Sequence, residues 1–388
     1  MSHSSICAWN LDAPEPQPVR VSWQNGIISE FTSSGIQERP NAWIGPTLCD
    51  IQVNGYAGVD FQRDSATGDD LHAVVEKLRM DGCSQILPTL ITDEWKVLTN
   101  RFRRMRKLRD ASPILRSAFP GWHIEGPFLS GEPGYKGAHD AELMIDPTPE
   151  KIRELREIAG GDPLLLTLSP ERNGAVEAIA LAKSLGIRIS CGHTNASAQQ
   201  LAAAAEAGAT MFTHLGNGCP QQLDRHDNIL WRVIDTKGLT AGIIPDGIHV
   251  SPQLFRIMNR LLADRCYFTT DCMSAAGGPP GRYTIGKTEL EVGADKVVRQ
   301  PGKTNFAGSA LTPLEGICCA KTMAPFARAW HLFSTRPRNL MGIPAGFAEG
   351  SEATFCVIER GANAMTSLVV YVRGEEKARR PFDAQCLQ

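Results

Sequence analysis

Short apolar runs, each about as long as a strand, recur through the middle of the chain, and apolar residues return at helical spacing in most of the stretches between them. The runs fall at 47–53, 84–89, 118–125, 164–169, 188–193, 210–215, 240–245 and 267–271. Between them, 70–80, 151–158, 175–185 and 196–207 read as amphipathic or Ala-rich helices. Eight β-then-α units in succession predict a parallel (β/α)8 TIM-like barrel over 46–344. The two ends read differently. Val19, Val21 and Trp23 alternate ahead of an Asn25-Gly26 turn, and Ile27-Ile28 resume the strand. The segments 353–360 and 368–373 are also β-rich. The expected architecture is therefore an α/β protein whose barrel carries a small β-sandwich domain made from both termini, 1–45 plus 345–388.

Composition narrows the partners. Hydrophobic residues make up 42% of the 388 and charged ones 21%, which suits a folded globular chain. Lys plus Arg number 40 against 42 Asp plus Glu, so the basic excess of a nucleic-acid binder is missing. No apolar run approaches the ~18 residues of a membrane span. Eleven cysteines, an odd number without Cys-x-x-Cys pairs, read as thiols in a reducing compartment and point to the cytoplasm. A small-molecule substrate is the partner these features leave.

In such a barrel the chemistry gathers at the C-terminal ends of the strands. Strand one ends in Gln52 and Asn54, strand three in His123 and Glu125, and strand five in Cys191 and His193. Strand six ends in His214, strand seven is followed by Asp246 and His249, and strand eight ends in Asp271. A period of two puts His123 with Glu125, and Cys191 with His193, on one strand face. Glu125, His193 and His214 make a carboxylate-plus-two-imidazole set suited to one divalent ion, Zn2+ in the first place, with Fe2+ or Co2+ also accepted. Asp271 beside it can act as general base on a water whose pKa the ion lowers, which suggests metal-assisted hydrolysis. Each part alone has an ordinary reading as well. A strand histidine is commonly a packed core residue, a strand-end Asp a helix cap, and Asn54-Gly55 a turn.

Longer strings bear on that choice. Gly121-Trp-His-Ile-Glu-Gly-Pro-Phe128, then Lys136-Gly-Ala-His139, resembles the N-acetylglucosamine-6-phosphate deacetylases of the amidohydrolase superfamily. So do Asp50-Ile-Gln-Val-Asn-Gly55, Gly192-His-Thr-Asn-Ala196, Asp246-Gly-Ile-His-Val250, Thr270-Asp271 and Ala307-Gly-Ser-Ala-Leu-Thr312, all in family order. Arg336-Pro-Arg-Asn-Leu-Met-Gly342 looks like the family's closing helix. The resemblance implies that Glu125, His193 and His214 hold the metal, that Asp271 is the catalytic acid/base, and that His139 contacts the amide carbonyl. It also implies substrate contacts from Asn217, Gly218, Arg225 and His249, with Gln52 and Asn54 on strand one, and a homodimer in which the Arg225 counterpart of some members crosses to the other subunit. Gln52-x-Asn54 in place of His-x-His, with Thr167 and Ser169 but no Lys on strand four, implies a single ion.

Two strings depart from the family pattern. Leu215-Gly-Asn-Gly-Cys219 stands where many members carry bulkier residues around the Asn, which implies a reshaped pocket near the sugar. Arg225 is followed by His226-Asp227-Asn228, so it can serve a phosphate or pair with Asp224 or Asp227. Three functions remain: deacetylation of N-acetylglucosamine-6-phosphate, deacetylation of another N-acyl amino sugar (N-acetylgalactosamine-6-phosphate or an unphosphorylated one), or a catalytically silent sugar-phosphate binder.

Overall fold

All eight apolar runs form strands, in order Leu48–Val53, Cys83–Ile91, Trp122–Glu125, Leu164–Leu168, Arg188–Cys191, Met211–Phe212, Thr240–Ile243 and Cys266–Phe268. The computed structural model describes residues 4–382 except 14, 16, 34, 36–38, 303–305 and 362–364. Each barrel strand neighbours the next in one eight-stranded sheet, with parallel pairing from the second strand to the eighth. The sheet curls nearly closed: Val53 bridges Cys272, and the Asn54 N–H donates to the Cys272 carbonyl at 2.7 Å. Both faces of such a sheet are covered, which is why its strands read as continuous apolar runs.

Under the C-terminal mouth lies a buried polar layer. The His123 ring bridges the hydroxyls of Thr89 (3.3 Å) and Thr167 (2.8 Å), and Thr167 meets Thr213 at 3.1 Å. Ser190 closes the row on Thr213 at 2.9 Å. Burial pushes His123 down to about 4, so it is a neutral, satisfied core residue. Its place at a strand end is thus structural, and Thr167 serves the same layer.

Local signals set the helix ends. Ser112, Thr148 and Ser251 cap helices whose first turn holds a proline, and Ser197 forms a capping box with Gln200. The third strand starts only at Trp122, because Ser112 and Pro113 commit 113–118 to a helix instead. A small sheet in the barrel unit was not apparent in the sequence. After the Gly277–Gly281 loop, Gly281–Ile285, Thr288–Val292 and Val298–Arg299 form a three-stranded antiparallel sheet over Met273, Leu290 and Val298.

The chain divides into two compact units, Met1–Asp50 with Val75–Gln85 and Thr312–Gln388, and Ile51–Val74 with Ile86–Leu311. In the first, the β-rich termini join one seven-stranded sheet in which Ala42–Pro46 pairs antiparallel with Phe355–Arg360. Asn25 and Gly26 both take positive φ, 53° and 79°, as a two-residue hairpin of this twist requires. Trp23, Ile44, Phe355 and Val369 fill its core. The edge strand Glu375–Pro381 escaped notice because its residues are charged, the usual protection of an exposed sheet edge. Arg338, buried in the Thr335–Met341 helix, donates to Gln85 Oε1 and to Thr47 through its backbone oxygen and hydroxyl. None of the ten described cysteines is in a disulfide; the eleventh, Cys386, lies outside the described residues.

Candidate active site

The barrel strands stop just short of the chemistry. His193, His214 and Asp271 follow strands five, six and eight by two to three residues, and all three hold positive φ (49°, 28° and 51°). A non-glycine residue rarely adopts that conformation, and it is stored where surrounding contacts over-determine it. The alternation of faces therefore ends at Cys191, which is buried in the core, and a tight turn rather than a strand face aims His193.

Glu125, His193 and His214 converge. His214 Nε2 lies 3.2 Å from Glu125 Oε1 and 3.1 Å from His193 Nε2, while His193 Nε2 lies 3.4 Å from Glu125 Oε1. The cluster is buried, and one donor atom from each residue lies within 4.8 Å of the others. His193 Nδ1 is taken by the Tyr135 carbonyl at 2.9 Å, which requires the proton on Nδ1 and leaves an Nε2 lone pair facing the cluster. Gly137 and Gly218 press on the same ring: a Cβ would come within 2.7 Å of its Cε1 at Gly137 and 3.0 Å of its Nδ1 at Gly218. Gln52 Nε2 donates to Glu125 Oε1 at 3.0 Å. Burial works against ionising Glu125, yet the two imidazoles outweigh it and hold the carboxyl well below its usual range. His214 is likewise raised by Glu125 against the pull of burial. A carboxylate and two imidazole lone pairs aimed into one dry space fit a divalent cation.

Asp271 stands next to this cluster, with Asn54 Nδ2 donating to its Oδ1 at 2.9 Å. Burial, reinforced by the Glu125 charge, raises its carboxyl to about 6, while His214, Asn54 and His249 hold it back. His139 closes the other side. Its Nε2 is 4.0 Å from Glu125 Oε2, its ring centroid is 4.5 Å from that of His193, and its Nδ1 meets the Thr92 hydroxyl at 2.8 Å. Burial first, then the His193 charge, push His139 down to about 3, so the ring is neutral.

The residues matched to the sugar phosphate are gathered only in part. A Cβ at Gly218 would lie 3.0 Å from the His193 ring and 3.3 Å from the His214 ring, and the Asn217 N–H donates to the His214 carbonyl at 2.9 Å. The Asn217 amide nitrogen is buried without a hydrogen-bond partner among the described residues. His249 Nδ1 pairs with Asp246 at 2.6 Å, its ring packs edge-on against Phe306, and its Nε2 is left without a partner among the described residues. Arg225 stands apart on an exposed loop. Neither acidic neighbour binds it: Asp227 pairs with Arg232 at 2.6 Å, and Asp224 accepts from the His226 and Asp227 N–H groups. Two contributors were missed in the sequence. Thr92 follows strand two, for which no polar end residue had been noted, and Tyr135 acts through its carbonyl, which no side-chain pattern reveals.

No protein-family model matches the chain. Among curated proteins it is 30% identical over 359 residues to the N-acetylglucosamine-6-phosphate deacetylase of Danio rerio, covering 88% of this chain and 85% of that one. It is 27% identical over 363 residues to the N-acetylgalactosamine-6-phosphate deacetylase of Escherichia coli O157:H7, covering 90% and 92%. Among solved structures, a mutant N-acetyl-D-glucosamine-6-phosphate deacetylase from Mycobacterium smegmatis, in complex with N-acetyl-D-glucosamine-6-phosphate, superposes with a TM-score of 0.86 at 27% identity. That likeness covers 97% of this chain and all of the other.

Proposed function

The chain belongs to the N-acetylglucosamine-6-phosphate deacetylase family, and from that we propose that it removes the N-acetyl group of N-acetylglucosamine-6-phosphate, giving glucosamine-6-phosphate and acetate. The observation that carries this reading is the meeting of Glu125, His193, His214, Asp271 and His139 at one barrel mouth. Domain limits of 46–344 for the catalytic barrel, and 1–45 plus 345–388 for the small β domain, are part of the proposal.

Glu125, His193 and His214 would hold one divalent ion, Zn2+ being the choice for a nitrogen-rich set with Fe2+ or Co2+ as substitutes. When bound, such an ion supplies Lewis-acid polarisation and lowers the pKa of water toward neutrality. Asp271, steadied by Asn54, takes the proton of the attacking water as the new carbon–oxygen bond forms. It then returns that proton to the nitrogen as the carbon–nitrogen bond breaks, releasing acetate and the free amine. A value near 6 suits a carboxyl that must accept and return a proton near neutral pH. His139 hydrogen-bonds the acetyl oxygen as negative charge gathers there. Asn217, Gly218 and His249 line the sugar side, and Gln52 keeps Glu125 in place.

We assign Arg225 to the phosphate because its guanidinium is exposed and takes no acidic neighbour as partner. Arg225→Ala is expected to raise KM for the phosphorylated substrate about tenfold or more, as loss of a charge-assisted contact does, with kcat nearly unchanged. Steady-state kinetics check this, and an unaltered KM would leave Arg225 as a surface residue. The helix Pro252–Leu262 exposes Ile257 and Leu261, an apolar pair one turn apart that suits a homodimer. Among the described residues no helix is long and apolar enough to cross a membrane. Separately, the odd number of cysteines and the small net charge of −2 support a cytoplasmic enzyme that acts on a small molecule rather than on nucleic acid or a membrane.

A second substrate has its own support. The Escherichia coli relative is an N-acetylgalactosamine-6-phosphate deacetylase, and Gly216 and Gly218 flank Asn217 where many family members carry bulkier residues. The deciding experiment is acetate release by metal-loaded protein from both phosphorylated epimers and from unphosphorylated N-acetylglucosamine. The proposal expects the highest kcat/KM for N-acetylglucosamine-6-phosphate. A preference for the galactose epimer would establish the second reading, and metal-loaded protein inactive on all three would sink both.

A further inference from the structure

We infer that Thr92 is the positioning residue for His139: its hydroxyl donates to Nδ1, fixes the imidazole proton on Nε2, and keeps that ring out of the ion's ligand set. The inference rests on the proposed role of His139 in the same site. Thr92 follows barrel strand two and is buried, and His139 Nδ1 at 2.8 Å is the only hydrogen-bond partner of its hydroxyl among the described residues. Two tautomers are open to the ring. If Nδ1 carried the proton, the Thr92 hydroxyl would accept it and its own hydrogen would find no second hydrogen-bond partner among the described residues, and the Nε2 lone pair would face Glu125 Oε2 at 4.0 Å. If Nε2 carries it, the hydroxyl donates to Nδ1, and an N–H rather than a lone pair points toward the carboxylate. Both neighbours therefore select the same form.

The surroundings hold Thr92 in this pose. Gly126, at φ 86°, sits against it so closely that any Cβ there would run into the Thr92 hydroxyl. The glycine of the His-x-Glu-Gly-Pro string thus makes room for the Thr92 contact. The His139 backbone is pinned on its own side, its N–H donating to the Lys136 carbonyl at 3.1 Å and its carbonyl accepting from Lys136 Nζ at 3.1 Å.

The consequence is a division of labour among three imidazoles. His193 is protonated on Nδ1 by its bond to Tyr135 and offers Nε2 as a lone pair. His139, with the opposite tautomer, presents Nε2–H to an acetyl oxygen and cannot coordinate through that atom. One ring is a ligand and the other a donor because their Nδ1 partners differ in kind, a carbonyl that only accepts and a hydroxyl that can donate.

The test compares Thr92→Val, which keeps shape and removes the hydroxyl, with Thr92→Ser, which keeps the hydroxyl. Nitrogen-15 NMR of the imidazoles, assigned with His139→Gln, reads the tautomer in metal-loaded protein without substrate. The expected result is an Nε2–H signature for His139 in wild type and Thr92→Ser that weakens or reverses in Thr92→Val. With it, kcat falls about 10- to 100-fold, the scale of an outer-shell partner, while metal content holds and Thr92→Ser restores the rate. A Thr92→Val protein with the wild-type tautomer and kcat would overturn the inference. So would equal loss in both variants, which marks a packing role. Wild-type protein inactive on amino-sugar phosphates would instead sink the functional reading, and the NMR arm would still decide the role of Thr92.

Discussion

Asp271→Asn is expected to keep its metal and lose nearly all turnover. The amide is isosteric with the carboxyl, and its oxygen can still accept from Asn54 Nδ2, so the 2.9 Å contact and the turn at Thr270-Asp271 survive. What disappears is a group able to take a proton from water and give it to the departing amine. Loss of a general acid–base typically costs about 10²- to 10⁴-fold, and here one residue performs both transfers, so the upper part of that range applies. The expected split is kcat down about 10³-fold or more, KM within a factor of about three, and unchanged metal by elemental analysis. A variant retaining a tenth of the wild-type rate would place the proton transfer on another group.

The pH dependence carries the same signature. Burial, with the Glu125 charge, raises the Asp271 carboxyl to about 6, and only its ionised form accepts a proton. Activity is therefore lost as pH falls through that value. A cation at the neighbouring ligands favours the carboxylate, so in loaded enzyme the acid limb of kcat/KM is expected at or below about pH 6. Asp271→Asn removes that limb from whatever activity remains.

Most of the barrel was legible because its strands are buried on both faces and so appear as unbroken apolar runs, from Leu48–Val53 to Cys266–Phe268. Errors arose where a stronger local signal overrode hydrophobicity. Ser112-Pro113 turned the start of the third run into a helix, and the charged edge strand Glu375–Pro381 hid its pairing. The convergence of Glu125, His193 and His214 followed from their places at strand ends, but the left-handed turns that aim two of them did not. Nothing in the residue types of His193 or His214 announces a positive φ. Gly218 read as a departure from the family pattern and is explained by contact: even a methyl group there would press on the His193 ring. The contacts that separate ligand from donor, Tyr135 to His193 and Thr92 to His139, join residues far apart in sequence and only folding brings them together.

Chelation is expected to abolish turnover, and a single equivalent of Zn2+ to restore it. Glu125 Oε1, His193 Nε2 and His214 Nε2 lie 3.1 to 3.4 Å apart in a buried space, where electron-rich atoms repel one another unless a proton or cation sits among them. A cation that binds only the folded protein also stabilises it, by about 2.7 kcal/mol at a hundred times its Kd. The metal-free protein should therefore melt below the loaded one. His193→Ala removes one donor and leaves Tyr135 and Gly137 without the ring between them and the cluster. That variant should lose the metal-dependent rise in Tm along with kcat, while its chelated Tm stays within a few degrees of chelated wild type. Restoration by one equivalent rather than two is the further point, since among the described residues Glu125, His193 and His214 are the one group of three such side chains placed to share an ion, and strand one offers the neutral amides Gln52 and Asn54 rather than imidazoles. Full turnover by protein shown to be metal-free would overturn the assignment of the cluster, and a requirement for two equivalents would overturn the single-ion reading.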